Sequence, residues 1–356
     1  MKPTIYAPFL ALAFAAACGD GTSPTTVVLP PPPAYTTFET LGDSVSIAAK
    51  LLEFRAALGG ALNAPNAPPA DSGRREINWD GVPAALTNVD TFPASFFNVN
   101  SKRGAVYSTP GTGFRVDSTN FAAVSAGLGT QFTFFSAKKL FMPVGSNQVD
   151  VTFKIVGTST PGLVKGFGAV FADVDRAGST TIEFFDAQDE RIGIVTAPNH
   201  SGAQLLSFTG AVFAAPIVAR VRITSGDAAF TAASTDISAG GTDDFVAMDD
   251  FVYGEPRAAG PDAQVAVGNT YFRSVGNGSQ NPAVDTINAG ALVTWTWNAA
   301  GSHSIQSTGI PPLVFRNSVV MSNAGATYSV RLMNPGTYDY DCAVHGAAMT
   351  GRIVVR

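Results

Sequence analysis

The sequence is short of cysteine, of histidine and of charge, and each shortage excludes something. Only two cysteines occur in 356 residues. Cys18 belongs to an apolar N-terminal segment and Cys342 to a C-terminal loop. No structural disulfide therefore remains to be made, and the folded parts must be held by core packing alone. Only three histidines are present, His200, His303 and His345. Charged residues make up 14% and the formal net charge is −5. There is no basic footprint, which argues against nucleic acid as a partner. Long apolar runs are missing too: the stretch from Ala7 to Ala17 is too short for a stable transmembrane helix. What is plentiful is Gly, Pro and Phe, with few helix-favouring runs, so the chain reads as all-β with room for two or three domains.

Residues 1–18 read as an export signal: Met1-Lys2 is positive, and the apolar run that follows ends in small residues. Phe14-Ala15-Ala16-Ala17-Cys18-Gly19 resembles a bacterial lipoprotein signal, although Ala15 stands where such signals most often carry Leu. The resemblance implies that Cys18 is diacylated and becomes the mature N-terminus. The protein would then be a membrane-anchored lipoprotein of the periplasm or cell envelope. The alternative is an ordinary secretory signal cleaved nearby, with Cys18 incidental. Residues 19–75 read as tether and helix. Thr22 to Tyr35, with Pro30-Pro31-Pro32-Pro33, is an extended spacer. Thr36 to Gly60 is the one helical signal, with Leu41, Val45, Ala48, Leu51, Leu52 and Arg55 at roughly helical spacing. Its polar face lacks the Lys/Arg enrichment of an interfacial helix, so it is expected to pack on the next domain.

Residues 76–257 read as short strands separated by turns. Val149, Val151, Phe153 and Ile155 alternate with polar residues, as do Ile217, Ala219, Val221 and Ile223 with Val218, Arg220 and Arg222. Asp186 to Glu190 forms a hairpin loop between Ile182–Phe185 and Arg191–Val195. Many even strands without helices between them indicate a two-sheet sandwich. Ile77-Asn78-Trp79-Asp80-Gly81-Val82 and Met248-Asp249-Asp250-Phe251-Val252-Tyr253 resemble jelly-roll modules of bacterial exported proteins. Such modules often carry a structural calcium, and some bind glycans. Asp80, Asp173, Asp175, Asp249 and Asp250 offer the oxygen ligands calcium takes; the alternative is a set of solvated turn and edge carboxylates. Trp79 is expected in the core and His200 in a solvated loop.

Residues 258–356 carry the chemistry. Tyr338-Asp339-Tyr340-Asp341-Cys342-Ala343-Val344-His345-Gly346-Ala347-Ala348-Met349-Thr350-Gly351 holds a thiol, an imidazole and a thioether close together. With His303, in Trp295-Thr296-Trp297-Asn298-Ala299-Ala300-Gly301-Ser302-His303, they make the soft donor set of a trigonal His₂Cys copper site with a weak axial Met. Alternation places Val293, Trp295 and Trp297 on one face of a strand, and Tyr338, Tyr340 and Cys342 on one face of another. This region resembles the plastocyanin and amicyanin branch of the cupredoxins, with one histidine far upstream and the other donors near the C-terminus. The three residues between His345 and Met349 are a count between the amicyanin and plastocyanin loop lengths. The resemblance implies a Greek-key sandwich and one type 1 copper held by His303, Cys342, His345 and Met349. It also implies a backbone bond from Ser304 to the sulfur.

The expected function is electron transfer by Cu(I)/Cu(II) cycling with unidentified redox protein partners and no enzymatic turnover. An oxidoreductase of the multicopper oxidase or nitrite reductase type needs more histidines than remain. Copper storage or delivery would show clusters of Met or His. The alternative kept is a surface binding or adhesion module with a structural or accessory copper site.

Overall fold

The computed structural model describes residues 32–202 and 204–356. The export segment, Cys18 and the start of the proline-rich stretch lie outside them. The first sandwich runs through β1 (Tyr35–Gly42), helix α1 (Ser44–Leu58), β2 (Arg74–Ile77), the short helix α2 (Phe96–Val99), β3 (Ala105–Ser108), β4 (Gly113–Asp117), β5 (Leu140–Val144) and β6 (Gln148–Phe153). It continues through β7 (Gly166–Ala172), β8 (Thr181–Phe185), β9 (Arg191–Thr196), β10 (Leu206–Phe213), β11 (Arg220–Thr224) and β12 (Ala247–Gly254). One sheet has the order β1-β10-β7-β12-β5-β4, with β2 also pairing β12, and the facing sheet the order β3-β6-β11-β8-β9.

Period-two patterning explains the second sheet. Val149, Val151 and Phe153 of β6 are buried while their neighbours are half-exposed, and β11 matches with Val221 opposite Val151 and Ile223 opposite Val149. In the first sheet β7 and β10 are buried on both faces. One face meets the other sheet and the other lies under α1, so these strands show no alternation. Trp79 is a core residue, 1% exposed. It stacks on Phe141 at 4.0 Å and meets Phe97 and Phe251 edge-on. Its indole N–H donates to Asp249 O at 2.6 Å.

The stretch from Thr36 to Gly60 is not one helix. Tyr35 to Gly42 pairs residue for residue with β10, from Tyr35 opposite Phe213 to Gly42 opposite Leu206. Its Tyr, Phe and β-branched Thr residues suit an extended edge strand better than a helix. The first sandwich therefore starts within the segment read as tether and helix. The helix itself begins after Asp43, whose carboxylate accepts from Ser46 N at 2.9 Å, a cap worth about 1 kcal/mol. Its buried face is Ile47, Leu51, Phe54 and Leu58, whereas Val45 and Leu52 are exposed. Phe54 sits on Phe208 at 5.3 Å, over Gly168 and Gly210, where a Cβ would crowd its ring.

Arg75 and Glu255 form a fully buried ion pair joining β2 to the end of β12. Arg75 Nη2 lies 2.8 Å from Glu255 Oε1, and Nη1 donates to Ala64 O at 2.7 Å. Arg257 still pairs with Leu163 of the first sandwich, and the next strand begins at Ala263.

The second sandwich comprises β13 (Ala263–Gly268), β14 (Tyr271–Ser274), β15 (Ala283–Ile287), β16 (Leu292–Trp297), β17 (Gln306–Ser307), β18 (Thr327–Arg331), β19 (Gly336–Cys342) and β20 (Gly346–Val355). Its sheets are β14-β13-β16-β18 and β15-β20-β19-β17. Two pairings are parallel, β13 with β16 and β15 with β20. β20 starts at Gly346 and runs through Gly351 without a break. Tyr340 lies between the sheets, edge-on to Trp295 at 5.2 Å and 5.1 Å from Phe272. Among the described residues, no helix is long and apolar enough to cross a membrane.

Candidate metal centre

The site forms where β19 turns into β20. The burial of β19 alternates so that Tyr338, Tyr340 and Cys342 point inward. Cys342 pairs with Gly346, and His345 N donates back to Cys342 O at 3.0 Å, closing a tight turn. Gly346 has φ +55°, a left-handed conformation that a residue with a Cβ adopts reluctantly. The ladder resumes at Asp341 opposite Thr350. Ala347, Ala348 and Met349 therefore have no partner on β19 and arch away from it. Asn281 Nδ2 holds the arch by donating to Ala348 O at 3.0 Å. Met349, at the foot of the arch, is completely buried.

His303 comes from the other side, after β16, and its backbone is fixed. His303 and Met321 exchange backbone bonds of 3.0 and 2.8 Å, and the indole of Trp297 donates to Met321 O at 3.0 Å. The neighbouring Ser304 hydroxyl accepts from Ala343 N at 3.1 Å, tying the histidine segment to the cysteine turn. This side-chain contact takes the place of the backbone bond to sulfur expected of Ser304.

Three donors converge here. Cys342 Sγ lies 3.4 Å from His345 Nδ1 and 3.9 Å from His303 Nδ1. The two imidazole centroids are 4.9 Å apart. All three donor atoms lie within 4.8 Å of one another. Cys342 is completely buried and unpaired, His303 is 1% exposed, and His345 is half-buried. Burial, and then the neighbouring His345 ring, push the pKa of His303 below its usual value. The neutral ring, which offers a lone pair, is therefore favoured. His303 Nδ1 is the nitrogen facing the sulfur, and Nε2 is buried without a partner among the described residues. One sulfur and two imidazole nitrogens with no carboxylate among them fit a soft, borderline ion such as copper and suit calcium or magnesium poorly.

His200 is exposed and takes no part. Cys18 lies outside the described residues. The five aspartates named as oxygen donors do not gather at one place. Asp249 accepts from Phe135 N at 2.7 Å and Ser136 Oγ at 2.9 Å, at a bulge in β12. Asp173 and Asp175 instead meet Asp236. Sequence reading missed Asp236, because its partners lie far away along the chain. It missed Asn281 for the same reason. The only local sign at Asp236 is its suitability as a cap, since it accepts from Ser238 N.

A buried thiol flanked by two imidazoles between the sheets of a β-sandwich defines a mononuclear copper-binding protein of the cupredoxin class. Residues 279–356 match the family of copper binding proteins, plastocyanin/azurin family. Amicyanin-alpha of Methylorubrum extorquens is 40% identical over 76 residues, 21% of this chain and 62% of that protein. Plastocyanin of Solanum tuberosum is 35% identical over 83 residues, covering 84% of its length. Among solved structures, a purple cupredoxin from Nitrosopumilus maritimus aligns over its whole length with 27% of this chain, at 30% identity and a TM-score of 0.22. Through its C-terminal domain the chain belongs to the plastocyanin/azurin copper-binding family. It spans 62% of amicyanin-alpha and 49% of the chloroplastic plastocyanin of Solanum lycopersicum, about half to three-fifths of their lengths. The family and the donor set together support a type 1 copper electron-transfer function for this domain.

Proposed function

We propose that the protein is an exported, lipid-anchored electron carrier whose C-terminal domain holds one type 1 copper between His303, Cys342 and His345, with Met349 as a weaker fourth donor. The observation that carries this reading is the approach of both Nδ1 atoms to Cys342 Sγ, at 3.4 and 3.9 Å. Copper bound there supplies a one-electron Cu(II)/Cu(I) couple. Cys342 donates as the thiolate and the histidines as neutral imidazoles. His303 is held by Met321 and, through it, by Trp297, and Cys342 by the β19–β20 ladder, so the donors keep their places when the charge changes.

His345 is the half-buried donor, and exposed Val344, Ala347 and Ala348 surround it with apolar surface. That rim is the natural contact for a redox protein partner. Anchoring through Cys18, in the periplasm or cell envelope, is supported by Ala15-Ala16-Ala17-Cys18 and by the extended proline spacer behind it. The protein turns over no substrate in this reading: beyond the two histidines at the site only exposed His200 is left for a further metal centre.

The test is the visible spectrum of the full chain titrated with copper. One equivalent should develop an intense sulfur-to-copper band. Cys342→Ser should fold and lack that band. A colourless wild-type protein at one equivalent, or a blue Cys342→Ser, would overturn the assignment.

A further inference from the structure

A second cluster of donors lies in the first sandwich, away from the sulfur site. As β7 ends, Asp173 takes a left-handed φ of +69° and turns the chain. Its carboxylate is 1% exposed, and neither oxygen has a hydrogen-bond partner. One oxygen from each of Asp173, Asp175 and Asp236 lies within 4.8 Å of the others. Asp175 Oδ2 also lacks a partner, while its Oδ1 accepts from Gly202 N at 2.9 Å. Asp236, fully buried, is held by the amides of Ser238 and Phe245 at 2.8 and 2.9 Å.

Asp244 sits behind the three and shapes the turn. It accepts from Asp175 N at 3.1 Å, Arg176 N at 3.0 Å and Ser179 Oγ at 2.6 Å. The nearby cation, Arg176, is engaged with Asp227 and Thr242 O. Among the described residues no Lys or Arg pairs with Asp173, Asp175 or Asp236.

A carboxylate buried among carboxylates requires compensation. A proton is one answer: burial, and then Asp236, Asp175 and Asp244, push the pKa of Asp173 up to about 9 when nothing else is bound. Protonation removes the charge, yet Asp173 would still have no partner for its oxygens. A cation answers both needs. Hard oxygen donors without His or Cys select calcium or magnesium over transition metals. Donors from irregular segments, rather than a rigid octahedral frame, select calcium. Oxygens within 4.8 Å of one another are close enough for one calcium ion to bind all three, at about 2.4 Å from each.

We propose that Asp173, Asp175 and Asp236, positioned by Asp244, form a calcium site that fastens the exit of β7 to the segments around Gly202 and Asp236. It uses residues distinct from Asp80, Asp249 and Asp250, and it does not depend on the copper assignment.

The test uses the full chain without copper, titrated with calcium chloride by calorimetry and by thermal unfolding. One calcium per chain should bind, and the unfolding midpoint should rise with the logarithm of calcium concentration. Asp173→Asn, which suits the left-handed backbone, should weaken binding at least about tenfold by removing a charged ligand. In calcium-free buffer the same variant should be at least as stable as the wild type, because it removes a buried carboxyl that must take up a proton on folding; a merely structural aspartate would destabilise on replacement. Asp175→Asn, at a half-exposed position, should lose the calcium response in the same way and serves if Asp173→Asn does not fold. Asp250→Asn should keep the response. No calcium binding at millimolar concentration, an equal response to magnesium, or an unchanged response in the variants that fold would overturn the proposal.

Discussion

Replacing Gly351 by alanine tests how tightly the core behind the copper site is closed. Gly351 lies on β20 opposite Tyr340 of β19. A Cβ there would fall 2.5 Å from Tyr340 Cε2 and closer still to Cζ and the hydroxyl. The ring has nowhere to go: it is 1% exposed and packed against Trp295, Phe272 and Phe315. The alternative is a shift of β19, which carries Cys342 two residues further on. Overpacking of this kind costs about 1–3 kcal/mol. For a domain of roughly 100 residues, each kcal/mol lowers the unfolding midpoint by about 4–8 °C, so a fall of about 4–24 °C is expected. The assay is thermal unfolding of the copper-loaded protein followed at its visible band, which reports this domain alone. Combining Gly351→Ala with Tyr340→Leu should give a double variant more stable than the sum of the single losses, because the smaller side chain makes room. A Gly351→Ala protein whose midpoint stays within about 1 °C of the wild type would show that the Tyr340 pocket is not closed as described.

Other substitutions read other parts of the molecule. Met349→Leu should leave a folded, coloured protein with a higher reduction potential, since losing a donor destabilises Cu(II) more than Cu(I); voltammetry checks this, and loss of the metal would contradict a weak role for the thioether. Arg75→Met leaves buried Glu255 without its cation and should cost about 3–5 kcal/mol, towards the lower end because Asn63 and Ala70 still donate to Glu255; denaturant unfolding measures it. Burial by itself would raise the pKa of Asp117, but the Thr119 hydroxyl, the Phe121 amide and Arg115 hold it below the usual value. Its contribution to stability is present above about pH 4 and is lost as the pH falls through the lowered pKa, so Asp117→Asn should flatten that part of the acid unfolding curve.

The three converging donors were legible in the sequence because Cys342 and His345 occupy one short stretch and histidine is rare. Cys342 and His345 can hardly avoid meeting once β19 and β20 pair, and few histidines compete with His303. The strands of the first sandwich were legible wherever one face is buried, as in β6 and β11. They were harder to read where both faces are covered, as in β7 and β10, since alternation disappears there. β1 was misread because Leu41 lies at a spacing that also suits the helix beginning at Ser44, and only pairing with β10 settles Tyr35 to Gly42 as a strand. Gly351 looks like a strand break in the sequence, yet it lies within β20, where its missing side chain accommodates Tyr340. The aspartate cluster was half legible: Asp173 and Asp175 are separated by a single residue, but Asp236 is brought to them by tertiary structure alone.

The position of β20 has a consequence for the order of events during synthesis. This strand, the latest of the sandwich to be made, lies between β15 and β19, and it contributes Met349. Until residues 346–355 have left the ribosome, β15 and β19 have no neighbour to join them. His345 is at that stage still loose. Closing the sheet therefore requires contacts between parts of the chain far apart in sequence, a slow class of folding step. Closure of the Cys342–Gly346 turn that carries His345 and completion of the sheet become one event. A nascent chain stopped just short of β20 would carry a thiol and a tethered imidazole but no pocket, open to oxidation and to any passing metal.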